Sequence, residues 1–314
     1  MALDLLTFGE ALVEVMRTGI DQPLDRPASF IGPYPSGAPF IFAVQAARLG
    51  ARVGAVGAVG ADAFGRCLLE QLKADGVETR GVHTLRDHTT GVAFVAYNAE
   101  GSREFVFHAR HAAAGQLAPE MLDEAQFVGL RCLHIMGSTL SMHTDALRMG
   151  LRALELAQQH GAKISFDPNL RPQLLAPEQA AAAFRPFIEA ADVLIPTREE
   201  LELLLSDGIV AAFDRNPDQI VVMTEGKNGC TVFSIDQPQG LHIPGFRVGE
   251  IDPTGAGDCF DAGFLVQWLQ GDSLADAARF ANACGALAVT EQGPMAGAKR
   301  RDEVERFIMQ NQSR

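Results

Sequence analysis

A chain of 314 residues that is 47% hydrophobic and 21% charged is typical of a globular protein with a substantial core. Its formal net charge of −13 argues against a nucleic-acid partner, because a phosphate backbone needs a basic binding face. The sequence starts without the basic segment and apolar run of a secretory signal, and it has no apolar stretch of membrane-spanning length. Its five cysteines are scattered and form no CxxC pair, so we expect reduced thiols, a cytoplasmic location and no membrane partner.

Apolar runs with the length of strands alternate with helical patterns along most of the chain. In chain order, strands are predicted over residues 5–8, 53–56, 91–97, 103–107, 164–166, 193–195, 220–223 and 231–233. Helices are predicted over residues 40–49, from the cap Thr144 to Gly161, in the alanine-rich stretch after Pro177, over 198–205 and 259–269, and after the cap Ser273. This alternation indicates an α/β fold, in which helices cover both faces of a parallel sheet.

The strands over residues 91–97 and 103–107 depart from this pattern, because polar and apolar residues alternate in them. A hairpin-like connection of residues 98–102 joins the two strands, and residues 13–30 also look extended. We therefore expect a small β lid, formed by about residues 13–36 and 89–110, on the edge of a single domain that spans residues 1–314.

The segment over residues 252–263 reads DPTGAGDCFDAG and precedes a helix that is hydrophobic nearly all round, which must be buried. The start of such a helix presents free N–H groups at the positive end of its dipole, and small residues leave these groups open to an anion. Asp258 in the first turn could take the proton of a hydroxyl group while these N–H groups stabilise a phosphoryl group in transfer. Alternatively, Asp258 only complements the helix dipole and the glycines only form a tight turn; the residues alone leave both interpretations open.

This segment closely resembles the second signature of the ribokinase-like (PfkB) carbohydrate kinases. Asp252, Gly255, Ala256, Gly257 and Asp258 are all in register with that signature. The resemblance spans nearly the whole chain and implies a three-layer α/β/α fold with a mostly parallel central sheet and a small β-sheet lid. It also implies ATP and Mg²⁺, with Asp258 as the catalytic base and the amides of Gly255, Ala256 and Gly257 as the anion hole.

Other segments of the chain resemble the sugar-binding parts of the family. Glu14 stands where the family normally has an aspartate that binds sugar hydroxyls, and Ile41 replaces an asparagine that touches the substrate. The residues that the resemblance assigns to the sugar are Glu14, Gly37, Arg103, Asn169 and Arg171. A solvated glutamate, a solvated hairpin arginine and a plain turn at residues 169–171 remain open as alternatives. The second lid strand has Phe105, Phe107 and His108 in the region where related ketodeoxygluconate kinases commonly carry tyrosines and an arginine that hold a carboxylate, which favours a neutral sugar.

The nucleotide side is implied in the same way. The residues that the resemblance assigns to it are Thr197, Thr224, Gly226, Gly229, Asn282 and Gly285, the last two with helix packing as an open alternative. Glu200 corresponds to the family glutamate that orders magnesium and its waters, and with Thr197 it also predicts a capping box. Asp252 fits the family position for a monovalent cation, so the sequence permits K⁺ there.

We therefore expect an ATP-dependent phosphotransferase that acts on a primary hydroxyl of a small sugar. The combination of GPYPSGAP, Glu14 and DPTGAGDCF is most similar to the tagatose kinase branch, which predicts a ketohexose substrate such as tagatose. Fructokinase and 2-keto-3-deoxygluconate kinase are the nearer alternatives, and a nucleoside kinase or a non-catalytic sugar-binding regulator are more remote. Because lids of this family often pair, we expect by analogy a homodimer that forms through the lid.

Overall fold

The structure of the chain is a computed structural model, and it describes residues 2–100, 102–205 and 207–311. The strands are β1 Leu5–Phe8, β2 Leu12–Arg17, β3 Phe30–Ser36, β4 Val53–Gly60, β5 Glu78–Leu85, β6 Gly91–Tyr97, β7 Arg103–His108, β8 Cys132–Met136, β9 Lys163–Asp167, β10 Val193–Leu194, β11 Ile220–Thr224, β12 Gly229–Ser234 and β13 Gln237–Pro244. The helices are α1 Ala38–Arg48, α2 Ala63–Ala74, α3 Gly137–Leu140, α4 Thr144–Gln159, α5 Pro177–Ala190, α6 Arg198–Leu204, α7 Ile209–Arg215, α8 Ala256–Gln270, α9 Leu274–Ala288 and α10 Arg301–Asn311. Short 3₁₀ turns lie at Ala113–Gly115, Pro119–Met121, Glu124–Gln126 and Gly226–Asn228.

Within the described ranges, nine strands form the main sheet in the order β13-β12-β11-β10-β9-β8-β1-β4-β5. The strands from β11 to β5 run parallel, and the hairpin of β12 and β13 extends this sheet antiparallel at one edge. Successive side chains along the strands pack into two separate hydrophobic cores. Helices α1 and α8–α10 pack with one core, and α4 and α5 pack with the other. This arrangement confirms the predicted three-layer α/β/α fold with a mostly parallel central sheet.

The second sheet is the lid, in which β3, β2, β6 and β7 lie side by side. Strands β2 and β6 pair in parallel, and the two outer strands pair antiparallel to them. Apart from Leu12, the first residue of β2, these strands fall inside the two segments that were expected to form the lid. Gly101, which was expected in the hairpin between β6 and β7, lies outside the described residues.

Helix α8 is fixed close to α9 because Gly263 has no side chain. A Cβ at this position would lie 2.9 Å from Sγ of Cys284 and 3.0 Å from Cα of Ala281, too close for any larger residue. The side chains from Asp258 to Val266 are all buried, as the apolar run on all sides of the helix predicted. The close contact with α9 and the burial of α8 together fix the position of this helix. The candidate site described below lies at its first turn.

Several element predictions need correction. Thr144 does not cap α4; the cap is His143, whose Nδ1 accepts the N–H of Ala146 at 3.2 Å. The strand predicted over residues 53–56 continues to Gly60, because the small residues that follow are buried as well. Strands β5 and β13 were missed because both are edge strands with many exposed polar residues, which weakens the apolar pattern. No helix in the described ranges is both long and apolar enough to cross a membrane.

Candidate active site

The turn of residues 255–257 starts α8 and can only be built with glycine at its first position. Gly255 has a φ of 84°, and a Cβ there would lie 2.5 Å from the carbonyl oxygen of Pro294. A Cβ at Gly257, by contrast, would meet no atom within 4 Å. The start of α8, where the unpaired N–H groups and the positive end of the helix dipole lie, therefore borders open space suited to an anion.

A cavity of about 1010 Å³ adjoins this helix start. Ala256 and Gly257 contribute to its wall. All six residues that were assigned to the nucleotide also line it, namely Thr197, Thr224, Gly226, Gly229, Asn282 and Gly285. Residues that are far apart in the sequence thus meet in one cleft, which has the size that a small-molecule cofactor site requires.

The walls of this cleft are held by hydrogen bonds of the same residues. Thr197, which follows β10, lies side by side with Thr224 at the end of the parallel strand β11. The side-chain amide of Asn282 donates to the carbonyl oxygens of Ile243 at 3.0 Å and Pro244 at 3.2 Å. Because both of its N–H groups are used in this way, Asn282 holds the end of β13 against α9, and only its Oδ1 is left for a ligand.

Glu14 lies in the lid strand β2, is 5% exposed, and has a hydrogen-bond partner for only one of its carboxyl oxygens. Its Oε1 accepts a hydrogen bond from the Ser36 hydroxyl at 2.6 Å, whereas Oε2 has no partner among the described residues. Burial and the nearby Asp252 raise the pKa of Glu14 to about 7, against the opposing effect of Arg103 and Arg171. A buried carboxyl oxygen without a partner is what a site for a ligand hydroxyl requires.

Asp258 lies in the first turn of α8 and is 7% exposed. Burial and the neighbouring Asp167 raise its pKa well above the ordinary value, and Glu14 and Glu10 act in the same direction. Arg171 opposes this rise. Asp258 therefore lies near several acidic groups, and the nearby positive charge is that of Arg171 in the turn after β9.

That turn is built by a local carboxylate–amide interaction. Asn169 has a φ of 37°, and its backbone N–H and side-chain amide donate to Asp167 at 2.9 and 3.2 Å. Arg171 follows in the chain, is exposed, and has no ion pair among the described residues. The structure thus brings the two predicted residues to the carboxyl end of β9, where ligands bind in open α/β sheets.

Glu200 joins this turn to the start of α6. Its Oε1 accepts the N–H of Leu170 at 2.6 Å and its Oε2 accepts the N–H of Thr197 at 2.8 Å. The predicted capping box of Thr197 and Glu200 is confirmed. Each carboxylate oxygen keeps a free lone pair, so a water-mediated contact with magnesium stays a prediction for this residue.

Asp252 connects the lid to the main domain. Its Oδ1 accepts the hydroxyl of Tyr97 at 2.8 Å and the N–H of Thr254 at 3.0 Å, and its Oδ2 accepts the N–H of Gly293 at 2.9 Å. Arg103, across the lid hairpin from Tyr97, donates to the Thr254 hydroxyl at 3.1 Å. Two lid strands therefore contact the segment that leads directly into the start of α8.

Comparison with known proteins agrees with this site. The family model described as "pfkB family carbohydrate kinase" matches residues 4–301. The chain belongs to the pfkB family of carbohydrate kinases. It is 32% identical over 302 residues to Fructokinase-1 of Oryza sativa subsp. japonica, and the match covers 92% of each chain.

Two solved structures are also similar to this pfkB kinase. A candidate ribokinase II of E. coli in complex with ATP and Mg²⁺ has a TM-score of 0.92 and 37% identity, covering 99% of this chain and 100% of that one. A fructokinase of Xylella fastidiosa with bound ATP has a TM-score of 0.86 and 30% identity, covering 99% of each chain. The predicted family, fold and enzyme class are confirmed: the protein is a sugar phosphotransferase.

Some parts of the pfkB kinase site differ from the expectations or were missed. The side-chain direction of Gly37 is filled by the Glu10 carbonyl oxygen, 2.0 Å from where a Cβ would be, so packing also requires a glycine here, and its contact with the sugar stays a prediction. Glu10 itself is buried and accepts hydrogen bonds from two hydroxyls at 2.6 and 2.9 Å. The residues that were missed are Glu10, Tyr97, Lys227, Phe246 and Arg247, the last three in the wall of the cleft. Glu10 and Lys227 had a signal, since they lie in the segments GEALVE (residues 9–14) and TEGKNG (residues 224–229), which resemble segments of the family.

Proposed function

We propose that this pfkB kinase transfers the γ-phosphoryl group of ATP to a primary hydroxyl of a ketohexose, with fructose as the first candidate. Relatives that are about one-third identical over most of the chain carry the name fructokinase. The preference for tagatose that came from the sequence is not supported by these relatives, and the alternative that named fructokinase is supported better. The rings of Phe105 and Phe107 on the outer lid strand β7 are stacked 5.3 Å apart, and this aromatic pair also suits a neutral sugar.

The observation that carries the proposal is the position of the α8 start between two different sites. On one side Ala256 and Gly257 line the large cleft. On the other side the next residue, Asp258, is buried and lies close enough to Asp167, Glu10 and Glu14 for their charges to raise its pKa. A phosphate in the cleft and a hydroxyl among the acids would therefore meet at one helix N-terminus, as phosphoryl transfer requires.

In the proposed reaction, Asp258 takes the proton of the sugar hydroxyl as its oxygen forms a bond to the γ-phosphorus of ATP. The bond between this phosphorus and the β,γ-bridging oxygen breaks, and ADP leaves with the electron pair. The N–H groups of residues 255–257 stabilise the negative charge on the transferred group. Glu14, Asn169 and Arg171 orient the sugar. Mg²⁺ that is bound to the ATP phosphates would supply further neutralisation of their charge.

The helix start and the cleft fit an ATP–Mg²⁺ complex. Gly226 and Gly257 both border space in which a Cβ would meet nothing within 4 Å, so phosphate groups can approach the backbone closely. Lys227 is the middle residue of the 3₁₀ turn Gly226–Asn228. It lines the same cleft, where its charge would face the phosphates. Glu200 would contact the magnesium only through water, since both of its oxygens already accept backbone N–H groups.

Further parts of the proposal concern the cation and the assembly. Asp252 accepts three hydrogen bonds, so K⁺ beside it would rely on the lone pairs that these leave free.

A lid-to-lid homodimer is supported by the exposed lid side chains Phe30, Ile31, Val106 and Phe107. We also propose that the lid and main sheet form one domain over residues 1–314, joined through Tyr97 and Asp252.

An ADP-release assay over a substrate panel tests the proposal. The panel holds fructose, tagatose, an aldohexose, 2-keto-3-deoxygluconate and a nucleoside, and Asp258→Asn serves as the blank. We expect the highest kcat/KM on a ketohexose, with fructose ahead of tagatose. Turnover of the nucleoside alone would contradict the sugar assignment, and no turnover of any substrate would favour a binding protein without catalysis.

A further inference from the structure

Residues 293–299, which lie between α9 and α10, form a backing segment behind the turn that starts α8. A Cβ at Gly255 would lie 2.5 Å from the carbonyl oxygen of Pro294, so the first residue of the turn packs directly on this segment. The N–H of Gly293 donates to Oδ2 of Asp252 at 2.9 Å, which fixes the segment to the stretch of chain that leads into the turn. The direction of the N–H groups in the turn therefore depends on where the backing segment is held.

Two side chains of α1 hold the backing segment by hydrogen bonds. Gln45 is fully buried; its Nε2 donates to the carbonyl oxygen of Lys299 at 2.9 Å, and its Oε1 accepts the N–H of the same residue at 3.2 Å. Arg48 donates from Nη1 to the carbonyl oxygens of Met295 at 2.8 Å and Ala298 at 2.6 Å. An arginine suits this role because its planar group presents several donors in fixed directions.

The guanidinium of Arg48 is itself held in place by α2. Its Nε and Nη2 donate to Oδ1 and Oδ2 of Asp75, the C-cap residue of α2, at 2.8 and 3.0 Å. The two side chains are only 16% and 6% exposed, so this bidentate pair is largely shielded from water. Gln71 adds a hydrogen bond to Oδ2 of Asp75 at 2.6 Å. Because Asp75 fixes one edge of the guanidinium, Nη1 is left to face the backing segment.

Helix α1 also touches the turn itself. A Cβ at Gly255 would lie 3.0 Å from Cγ2 of Ile41. Ile41, Gln45 and Arg48 follow one another at helical spacing, so they lie along one face of α1. None of these three residues lines the nucleotide cleft. This face of α1 therefore supports the turn from behind without reaching the nucleotide cleft.

We propose that Arg48 is a positioning residue that holds the backing segment against the turn of residues 255–257 and thereby fixes the direction of the N–H groups of that turn. Gln45 supports the same segment at its far end. The inference rests on the proposed role of this turn as the anion hole for the transferred phosphoryl group. Because the charge on that group develops in the transition state, misplaced N–H groups would slow the transfer more than they would weaken the binding of ATP.

Arg48→Met tests the inference in the full-length protein. Methionine keeps the apolar stem but removes every N–H donor of the side chain, so the backing segment and the turn would lose their fixed position. We expect kcat on the best sugar substrate to fall about 10- to 100-fold, while KM for ATP and KM for the sugar each change by less than about twofold. A lower free energy of unfolding with kcat still within about twofold of the wild type would show a merely structural role and would overturn the inference.

Asp75→Asn is a milder variant that keeps Arg48 itself, and it serves if Arg48→Met does not fold. Its amide group replaces one acceptor of the guanidinium by a donor, so we expect kcat to fall about three- to tenfold with both KM values unchanged. Arg301→Met is the matched control. Arg301 also donates to a backbone carbonyl at the end of α1, that of Leu49 at 3.1 Å, but within the described ranges it makes no hydrogen bond to the backing segment. Its kcat should stay within about twofold of the wild type, and a loss equal to that of Asp75→Asn would contradict the inference.

Hydrogen–deuterium exchange measured by mass spectrometry gives a readout that needs no turnover. In Arg48→Met we expect faster exchange both in peptides of the backing segment and in peptides that contain residues 252–258, whereas Arg301→Met should leave the latter unchanged. Faster exchange confined to the backing segment would show that the turn does not depend on Arg48, against the inference. If the wild-type protein turned over no sugar, the proposed function would fail, while this measurement would still decide whether Arg48 positions the turn.

Discussion

The two sites that meet at the start of α8 are built on different physical principles. The nucleotide cleft is wide, about 1010 Å³, and it presents mainly backbone groups, small residues and the helix dipole. The sugar side is a buried group of carboxyl groups, in which Glu14 and Asp167 have pKa values raised to about 7. In the proposed function, shape and fixed dipoles would select the nucleotide, whereas the sugar would be bound by side chains whose charge depends on burial and on the lid. Changes on the two sides should therefore affect different kinetic constants.

The largest effect is expected where the two sites meet. Asp258→Asn keeps the size of the side chain but cannot accept the hydroxyl proton, so kcat should fall by about 10²–10⁴-fold. KM for ATP should stay nearly unchanged, because the residue does not line the cleft. Steady-state ADP release on fructose measures both constants. A variant that kept near-normal kcat would show that Asp258 is not the base.

Glu14→Ala tests the sugar side. Loss of the carboxyl group removes the unpartnered Oε2 that would accept a sugar hydroxyl, so KM for the sugar should rise about 10- to 100-fold. KM for ATP should change little. Glu14→Gln keeps the shape and is the matched control, with a smaller expected rise. Equal changes in both KM values would show that Glu14 supports the fold and not the sugar.

Tyr97→Phe tests the connection between the lid and the main domain. The hydroxyl loses its hydrogen bond to Asp252, so the free energy of unfolding should fall by about 1–2 kcal/mol. Urea unfolding measures this difference. The control is Tyr34→Phe, because the Tyr34 ring packs on Gly293 and its hydroxyl makes no hydrogen bond to the described residues. Equal losses in the two variants would mean that the Tyr97 hydroxyl adds nothing.

The smallest effect is expected in the nucleotide cleft. Asn282→Ala frees the carbonyl groups of Ile243 and Pro244, which loosens one wall, so KM for ATP should rise about three- to tenfold. KM for the sugar should not change. Asn311→Ala removes a similar amide–carbonyl hydrogen bond on α10, outside the cleft, and is the control. A rise in the sugar KM would contradict the separation of the two sites.

The sequence predicted the nucleotide side better than the sugar side, for a physical reason. Glycines in a turn before a buried helix have few other uses, and all six assigned nucleotide residues line one cleft. The partner of a carboxyl group, in contrast, depends on contacts between distant strands. Tyr97 reaches Asp252 across 155 positions, and Ser138 reaches Glu10 across 128, and neither contact leaves a local pattern.

The pH dependence of kcat/KM on fructose tests the central claim most directly. The base must be ionised to act, and burial beside Asp167 raises the pKa of Asp258. Activity should therefore rise with pH, with an apparent pKa clearly above the ordinary aspartate value of about 4. Glu14 titrates in the same pocket, so the profile of Glu14→Gln is recorded beside the wild type, and its acid limb should remain. A profile that is flat from pH 5 to 9 in both proteins would contradict the assignment of Asp258 as the base.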